Sequence, residues 1–254
     1  MSYEISRRGL ITGTLATGVA AGLGVDPAAA AARERGLKLS TANVGLESTP
    51  RVGSILSGQR PHVMVLSEAE NARSHLSALA DRHGYRLKQY TRKHGDLAPE
   101  IAFLIRDDVT ILQRRLLKMT ERWRFKRWRE PRRYQAFKVR HNGATWWVIG
   151  IHFPPMGYLR EANQQAWRES RMRIQRFAHS HPNHPVIAVG DFNKLAPAVD
   201  DAFPRFTTKL GSHKTHAISI NGRGDRFGRK RRHEPKPKGG NGHGWVTFNL
   251  WQAV

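Results

Sequence analysis

Val186-Ile187-Ala188-Val189-Gly190-Asp191-Phe192-Asn193 is an apolar run of β type that breaks at a glycine and then offers a carboxylate and a carboxamide two positions apart. Side chains alternate faces along an extended segment, so Asp191 and Asn193 project to one side at the strand's end. Two polar groups placed there can hold a phosphate or a water. Asp and Asn after Gly are also ordinary turn residues, and the tetrapeptide taken alone reads first as a turn cap. The segments around it decide between the two.

Immediately upstream, Arg160 to Ser180 repeats Trp167, Ile174 and Phe177 at helical spacing among many charges and stops at His181-Pro182. An amphipathic helix feeding the Val186 strand makes a β-helix-β arrangement. Working further back, Leu37 to Val44 alternates apolar and polar residues, and Val63 to Leu66 is a compact apolar run closed by Ser67-Glu68. Thr49 to Gly58 fits a helix or turn, Leu76 to His83 a helix, and Tyr85 to Tyr90 an extended segment. Ile101 to Ile105, Val109 to Leu117, Tyr134 to Val139 and Trp146 to Phe153 add four strands, and Trp245 to Trp251 is the last. Strands in two sets with helices between them imply a layered α/β domain rather than a bundle or a pure β sandwich. The chain shows no internal repeat.

With 254 residues and 39% hydrophobic content, the chain can bury a sizeable core, as one α/β domain or two smaller ones. It has no cysteine, which excludes disulfides, thiolate metal sites and a thiol nucleophile. Any metal must be bound through oxygen or imidazole, and carboxylates, amides and water suit Mg²⁺, Mn²⁺ or Ca²⁺. The 13 histidines show no zinc-ligand spacing. A balance of 43 Lys and Arg against 20 Asp and Glu gives a formal charge of +23. Such an excess favours a polyanionic partner, nucleic acid first, then anionic membrane or cell-wall polymer, over a merely solvated basic surface.

Residues 1–35 read as an export segment: Ser6-Arg7-Arg8, a weakly apolar Gly9 to Gly24 stretch, Asp26-Pro27 and an alanine tract. The apolar part is too short and glycine-rich for stable membrane insertion. The paired arginines followed by Leu10 and Ile11 look like a twin-arginine signal, and a disordered arm is the alternative. Export of an already folded monomer would suit a chain that needs no oxidative step. Residues 36–254 would then form the folded domain.

Two basic stretches stand apart. Gln113 to Arg133 interleaves Arg124, Lys126, Arg127 and Arg129 with Trp123, Phe125 and Trp128, a mixture able to pair with phosphates and stack on bases. The same tryptophans could instead be buried beneath a surface strand. Residues 223–238, with Arg229, Lys230, Arg231 and Arg232 and almost no apolar residue, read as a mobile basic loop that a phosphate backbone could order.

Polar residues close four of the strand candidates: Asn43, Glu68, His152, then Asp191 with Asn193, and His243 precedes the last strand. Each alone is an ordinary cap or surface residue; their joint order is informative. The chain here resembles the endonuclease/exonuclease/phosphatase superfamily, the DNase I-like hydrolases, from roughly Leu37 to its end. The resemblance is carried by Ser40-Thr41-Ala42-Asn43-Val44, Val65-Leu66-Ser67-Glu68, Ile149-Gly150-Ile151-His152-Phe153, Val189-Gly190-Asp191-Phe192-Asn193 and Gly242-His243-Gly244-Trp245-Val246. It implies a four-layered sandwich, two mixed β-sheets face to face and flanked by helices, that hydrolyses phosphodiesters or phosphomonoesters with a divalent metal.

By the same resemblance, Glu68 would be the main metal carboxylate with Asn43 assisting. Asp191 would align or deprotonate the attacking water, Asn193 would hold a phosphate oxygen, His152 would donate to the scissile phosphate, and His243 would share the proton traffic. Glu100 sits where nucleolytic relatives carry the carboxylate that orients the first histidine. Phosphoryl transfer builds charge on oxygen, and a metal with imidazole and amide donors stabilises it.

Two departures stand out. Relatives usually have Ser-Asp-His where this chain has Asn241-Gly242-His243, and an Ile-Asp pair where it has Thr215-His216-Ala217-Ile218. Without an acidic partner His243 has no fixed tautomer, which would reduce activity. The expected function is an exported nuclease of low sequence specificity acting on DNA or RNA. A catalytically weakened binder of nucleic acid or another anionic polymer is the second reading, and a phospholipid or small-molecule phosphoesterase the third.

Overall fold

The computed structural model describes residues 36–44, 49–89, 100–121, 123–125, 127–129, 131–154, 161–193, 199, 203, 209–212, 215–220, 226–232 and 246–251. The proposed export segment, residues 1–35, lies outside the described residues, and so does His243. No helix among the described residues is long and apolar enough to cross a membrane.

Two six-stranded sheets carry the fold. The first contains β1 (Leu37–Asn43), β2 (Val63–Ser67), β3 (Tyr85–Gln89), β4 (Ala102–Arg106), β13 (Arg226–Arg232) and β14 (Val246–Trp251), in the order β13-β14-β1-β2-β4-β3. The second contains β5 (Thr110–Lys118), β8 (Arg133–His141), β9 (Ala144–His152), β10 (Val186–Asp191), β11 (Lys209–Ser212) and β12 (Thr215–Ile220), in the order β11-β12-β10-β9-β8-β5. A separate two-stranded ribbon joins β6 (Trp123–Phe125) to β7 (Arg127–Arg129). Both sheets are mixed: β1 runs parallel to β2 and β9 parallel to β10, while the other pairings are antiparallel.

Strand periodicity builds the layers. Leu37 and Leu39 of β1, Val63 and Val65 of β2, and Phe103 and Ile105 of β4 join the core shared with the second sheet. The intervening Ala42, Met64, Leu66 and Leu104 pack instead with Val52, Ile55, Leu56 and Leu76. Those last residues belong to α1 (Thr49–Gln59) and α2 (Arg73–His83), which cover the outer face of the first sheet. On the far side, α3 (Glu161–His179) buries Ala166, Trp167, Ser170, Ile174 and Ala178 at helical spacing against the second sheet. The order is helix, sheet, sheet, helix, the four-layered sandwich expected from the sequence.

The basic stretch 223–238 is a correction to that expectation. Its residues Arg226–Arg232 form edge strand β13, antiparallel to β14 and shifted in register between Phe227 and Lys230. Ladder hydrogen bonds to β14 order a segment whose own composition carries no strand period. The Gln113–Arg133 stretch likewise resolves into the end of β5 and the β6–β7 ribbon.

At the end of the sandwich where β2 begins and β8 finishes, the His62 and His141 rings lie against each other, tilted by 35° with centroids 3.8 Å apart. The Lys38 amide donates to His62 Nδ1 at 2.9 Å, a bond that requires that nitrogen to be unprotonated. Burial, then His141 and Arg106, hold the His62 imidazole down at about 3, with Asp108 opposing and Lys38 adding slightly. An unfolded histidine titrates near 6.5, so the unfolded chain takes up this proton first. The stability tied to a neutral His62 is therefore complete above about pH 6.5 and is lost as pH falls toward 3. Between pH 7 and pH 5 the loss is about 2 kcal/mol. Urea midpoints at the two pH values should show it, and His62→Gln should flatten the difference; an unchanged difference would exclude this origin.

Candidate active site

β1 runs parallel to β2 and β9 parallel to β10, and the Asn43–Asp191 hydrogen bond brings the finishing ends of both pairs to the same end of the sandwich. Asn43 ends β1 beside Ser67 of β2, with Glu68 the next residue, and His152 lies beside Asp191 where β9 and β10 end. Carboxyl ends of strands are where α/β sheets gather ligands. Here two sheets contribute to one cleft.

The Asn43 carboxamide bridges the sheets, donating from Nδ2 to Glu68 Oε1 at 2.7 Å and to Asp191 Oδ2 at 3.2 Å. Asp191 is fully buried, and its Oδ1 accepts the Asn193 backbone N–H at 2.8 Å. His152 Nε2 lies 3.7 Å from Glu68 Oε1 and 3.8 Å from Asp191 Oδ2. The ligand atoms of Glu68, His152 and Asp191 all fall within 4.8 Å of one another. Asn193 turns back after β10 and donates from Nδ2 to the Phe153 carbonyl at 2.8 Å.

Two local devices aim these groups. Glu68 and Asn193 have φ of 55° and 50°, a left-handed conformation that turns the chain sharply as it leaves each strand. Gly190 has φ 143°, and a Cβ there would stand 2.1 Å from the Ile151 carbonyl oxygen. Glycine is what lets β10 approach β9 this closely just before Asp191. Behind the turn, Trp167 Nε1 of α3 donates to the Phe192 carbonyl at 3.1 Å, tying the helix to the site.

His152 is held from behind. Its Nδ1 is 3.0 Å from Glu100 Oε2, so the Nδ1 hydrogen points to Glu100 and Nε2 faces the cleft. Glu100 in turn accepts Arg132 Nη1 at 3.3 Å, and the same guanidinium nitrogen donates to the His152 carbonyl. The Tyr134 hydroxyl donates to that carbonyl as well. Burial would raise the Glu100 carboxyl, yet Arg132 and His152 outweigh it and hold it at about 2. Burial likewise opposes charge on His152, but the Glu100 carboxylate prevails and lifts the imidazole above its ordinary value. Burial raises the Tyr134 hydroxyl, so it stays a neutral donor.

The structure thus brings Asn43, Glu68, Glu100, His152, Asp191 and Asn193 into one cleft from residues spread over 150 positions of chain. Sequence reasoning does not single out Arg132 or Tyr134 as site residues. Arg132 stands in a run of basic residues, and Tyr134 reads as core; only their shared bond to one carbonyl reveals them. Of the basic candidates, Arg124 lies in β6 and Arg127 and Arg129 in β7, while Lys126 lies outside the described residues. The ribbon grows from between Lys118 and Arg133, which pair at the cleft end of the second sheet. Arg229, Lys230, Arg231 and Arg232 lie in β13. Arg232 pairs with Val246, itself opposite Thr41, and so reaches the cleft end of the first sheet.

A model of the endonuclease/exonuclease/phosphatase family matches residues 40–252. No curated protein matches the sequence. Among solved structures, the human Nocturnin catalytic domain with bound sulfate is similar at TM-score 0.65 and 12% identity, over 86% of this chain and 94% of that one. TDP2 of D. rerio complexed with a single-strand DNA product gives 0.62 at 14% identity, covering 86% and 99%. A mannosyl-6-phosphatase of Bacteroides thetaiotaomicron gives 0.59 at 16%, covering 84% and 99%. At these identities the likeness is one of fold.

Proposed function

The chain belongs to the endonuclease/exonuclease/phosphatase family, whose members are phosphoric ester hydrolases, and on that footing we propose that it is a divalent-metal-dependent nuclease of low sequence specificity. The observation that carries this reading is the convergence of Glu68, His152 and Asp191 at an end of the sandwich where basic strand β13 and the β6–β7 ribbon also arrive. The twin-arginine-like segment supports export of the folded protein.

The donor set fits a hard cation. Two carboxylates converge on one carboxamide from opposite sheets, and Glu68 remains partly open to solvent. Glu68 and the Asn43 carboxamide oxygen would hold Mg²⁺, Mn²⁺ or Ca²⁺, which when bound neutralises charge on a phosphate oxygen. Asp191, fixed by the Asn193 amide, is placed to orient a water and take its proton. His152 presents Nε2 as a donor to a phosphoryl oxygen, with its ring held by Glu100. Asn193 has one Nδ2 hydrogen engaged with Phe153 and a second for a phosphate oxygen.

Hydrolysis measured side by side on plasmid, single-stranded DNA, RNA and a chromogenic phosphodiester tests this. Cleavage of the nucleic acids with Mg²⁺ or Mn²⁺, abolished by EDTA, is the expected result; turnover confined to phosphomonoesters or to phospholipid would replace the substrate. The missing carboxylates at Gly242 and near His216 favour one second reading, a weakened enzyme retained as a polyanion binder. Retention of nucleic acid without metal-stimulated cleavage would identify it.

A further inference from the structure

We propose that the flank formed by β5 and β8 is a secondary binding track for the phosphate backbone of a nucleic-acid strand leaving the cleft, an assignment that rests on the nuclease reading. β5 is one of the two edge strands of the second sheet among the described residues. Residues 110–118 and 132–141 contain seven Lys and Arg and no Asp or Glu. Three of these cations are engaged: Arg132 with Glu100, Lys118 with Glu121, and Arg114 with Gln135 Oε1 at 3.1 Å. Among the described residues, Arg115, Arg133, Lys138 and Arg140 make no ion pair with a carboxylate, and Arg115 has only the neutral Gln113 amide oxygen as a partner.

Their arrangement is linear. Lys138 stands opposite Gln113, and Arg140 opposite Thr110, so Arg115, two positions from Gln113, shares a face with both lysine and arginine. It is the face that carries α3, since Lys138 also pairs with Trp147, whose ring meets Phe177 edge-on. Arg115 and Arg140 are exposed and Lys138 half-buried. The field reaches His184, whose imidazole is held below its ordinary value by burial and by Lys138. On β8 the row runs from Ala136, opposite Arg115, through Lys138 to Arg140, about 14 Å at roughly 3.4 Å per residue, while Arg133, next to the Arg132 that grips Glu100, stands on the other face nearer the cleft. A strand too long for the cleft would meet these charges next. A row on an edge suits a chain of phosphates better than a planar headgroup surface. On β5 only Leu112 among large hydrophobics is exposed, which gives a bilayer little to accept.

The test uses the full chain with Arg115→Gln, Lys138→Gln and Arg140→Gln combined, alongside a charge-preserving Arg115→Lys, Lys138→Arg, Arg140→Lys control. Fluorescence anisotropy in EDTA reports binding of a labelled single strand of about 30 nucleotides and of a labelled trinucleotide over a salt series. For the long strand, the neutral variant should bind about tenfold more weakly with a salt slope shallower by about 2. The trinucleotide affinity and the rate on the chromogenic diester should stay at wild-type values, and the control should behave as wild type. Unchanged affinity and slope for the long strand would overturn the track, as would equal losses on long and short probes. Binding of anionic phosphatidylglycerol vesicles that the neutral variant loses, with DNA binding intact, would overturn it in favour of a lipid surface. Failure of the nuclease reading looks different: the strand binds through these residues, yet no phosphodiester is cleaved with any metal.

Discussion

Asp191→Asn should lower kcat on a chromogenic phosphodiester by about 10³-fold, within the range of lost general-base catalysis. The substitution keeps shape but removes the proton acceptor. The Asn193 backbone N–H at 2.8 Å demands an oxygen at the Oδ1 position, which leaves the new amide nitrogen where Oδ2 now accepts Asn43 Nδ2 at 3.2 Å. Two donors then face each other, so the bridge between the sheets weakens at the same time. Near-UV circular dichroism should remain native-like, because the surrounding core of Val189, Phe192 and Ile187 is untouched. A loss under tenfold in a folded variant would remove Asp191 from the chemistry.

Gly190→Ala should cost about 3 kcal/mol or more in urea unfolding, and should impair hydrolysis through displacement of Asp191. The added Cβ would sit 2.1 Å from the Ile151 carbonyl oxygen and 3.1 Å from the Ile151 nitrogen. Those are backbone atoms inside a ladder, and no rotamer change relieves the overlap. The φ of 143° adds strain of its own for any residue with a side chain. Gly58, in α1 with open space around it, is the contrasting case: alanine there should stabilise by up to about 1 kcal/mol. Equal effects at the two glycines would show that strand approach at Gly190 is not the limiting contact.

Where a segment is buried by its own pattern, it was legible in the sequence. β1, β2, β8, β9 and β10 are runs of apolar or alternating residues, and α3 repeats Trp167, Ile174 and Phe177 at helical spacing. The strands that were not anticipated are β6, β7, β11, β12 and β13; β11 and β13 take their extended form from a neighbour's edge, and Arg226–Arg232 shows how little composition says about that. Asn43, Glu68, His152 and Asp191 could be picked out because each closes or directly follows a strand. Arg132 could not, because its role is defined by where the Glu100 carboxylate and the His152 carbonyl happen to meet. His243 lies outside the described residues, so its part in the chemistry remains a proposal resting on resemblance.

The first sheet places β14, residues 246–251, against β1, residues 37–43, so the start and finish of the domain are neighbours in one ladder. A ribosome must therefore release residues 246–251 before β1 acquires its second hydrogen-bonded partner. Asn43 rides on that strand, while Asp191 rides on the other sheet. Chains cut before β14 consequently lack the closed ladder that holds the strand carrying Asn43.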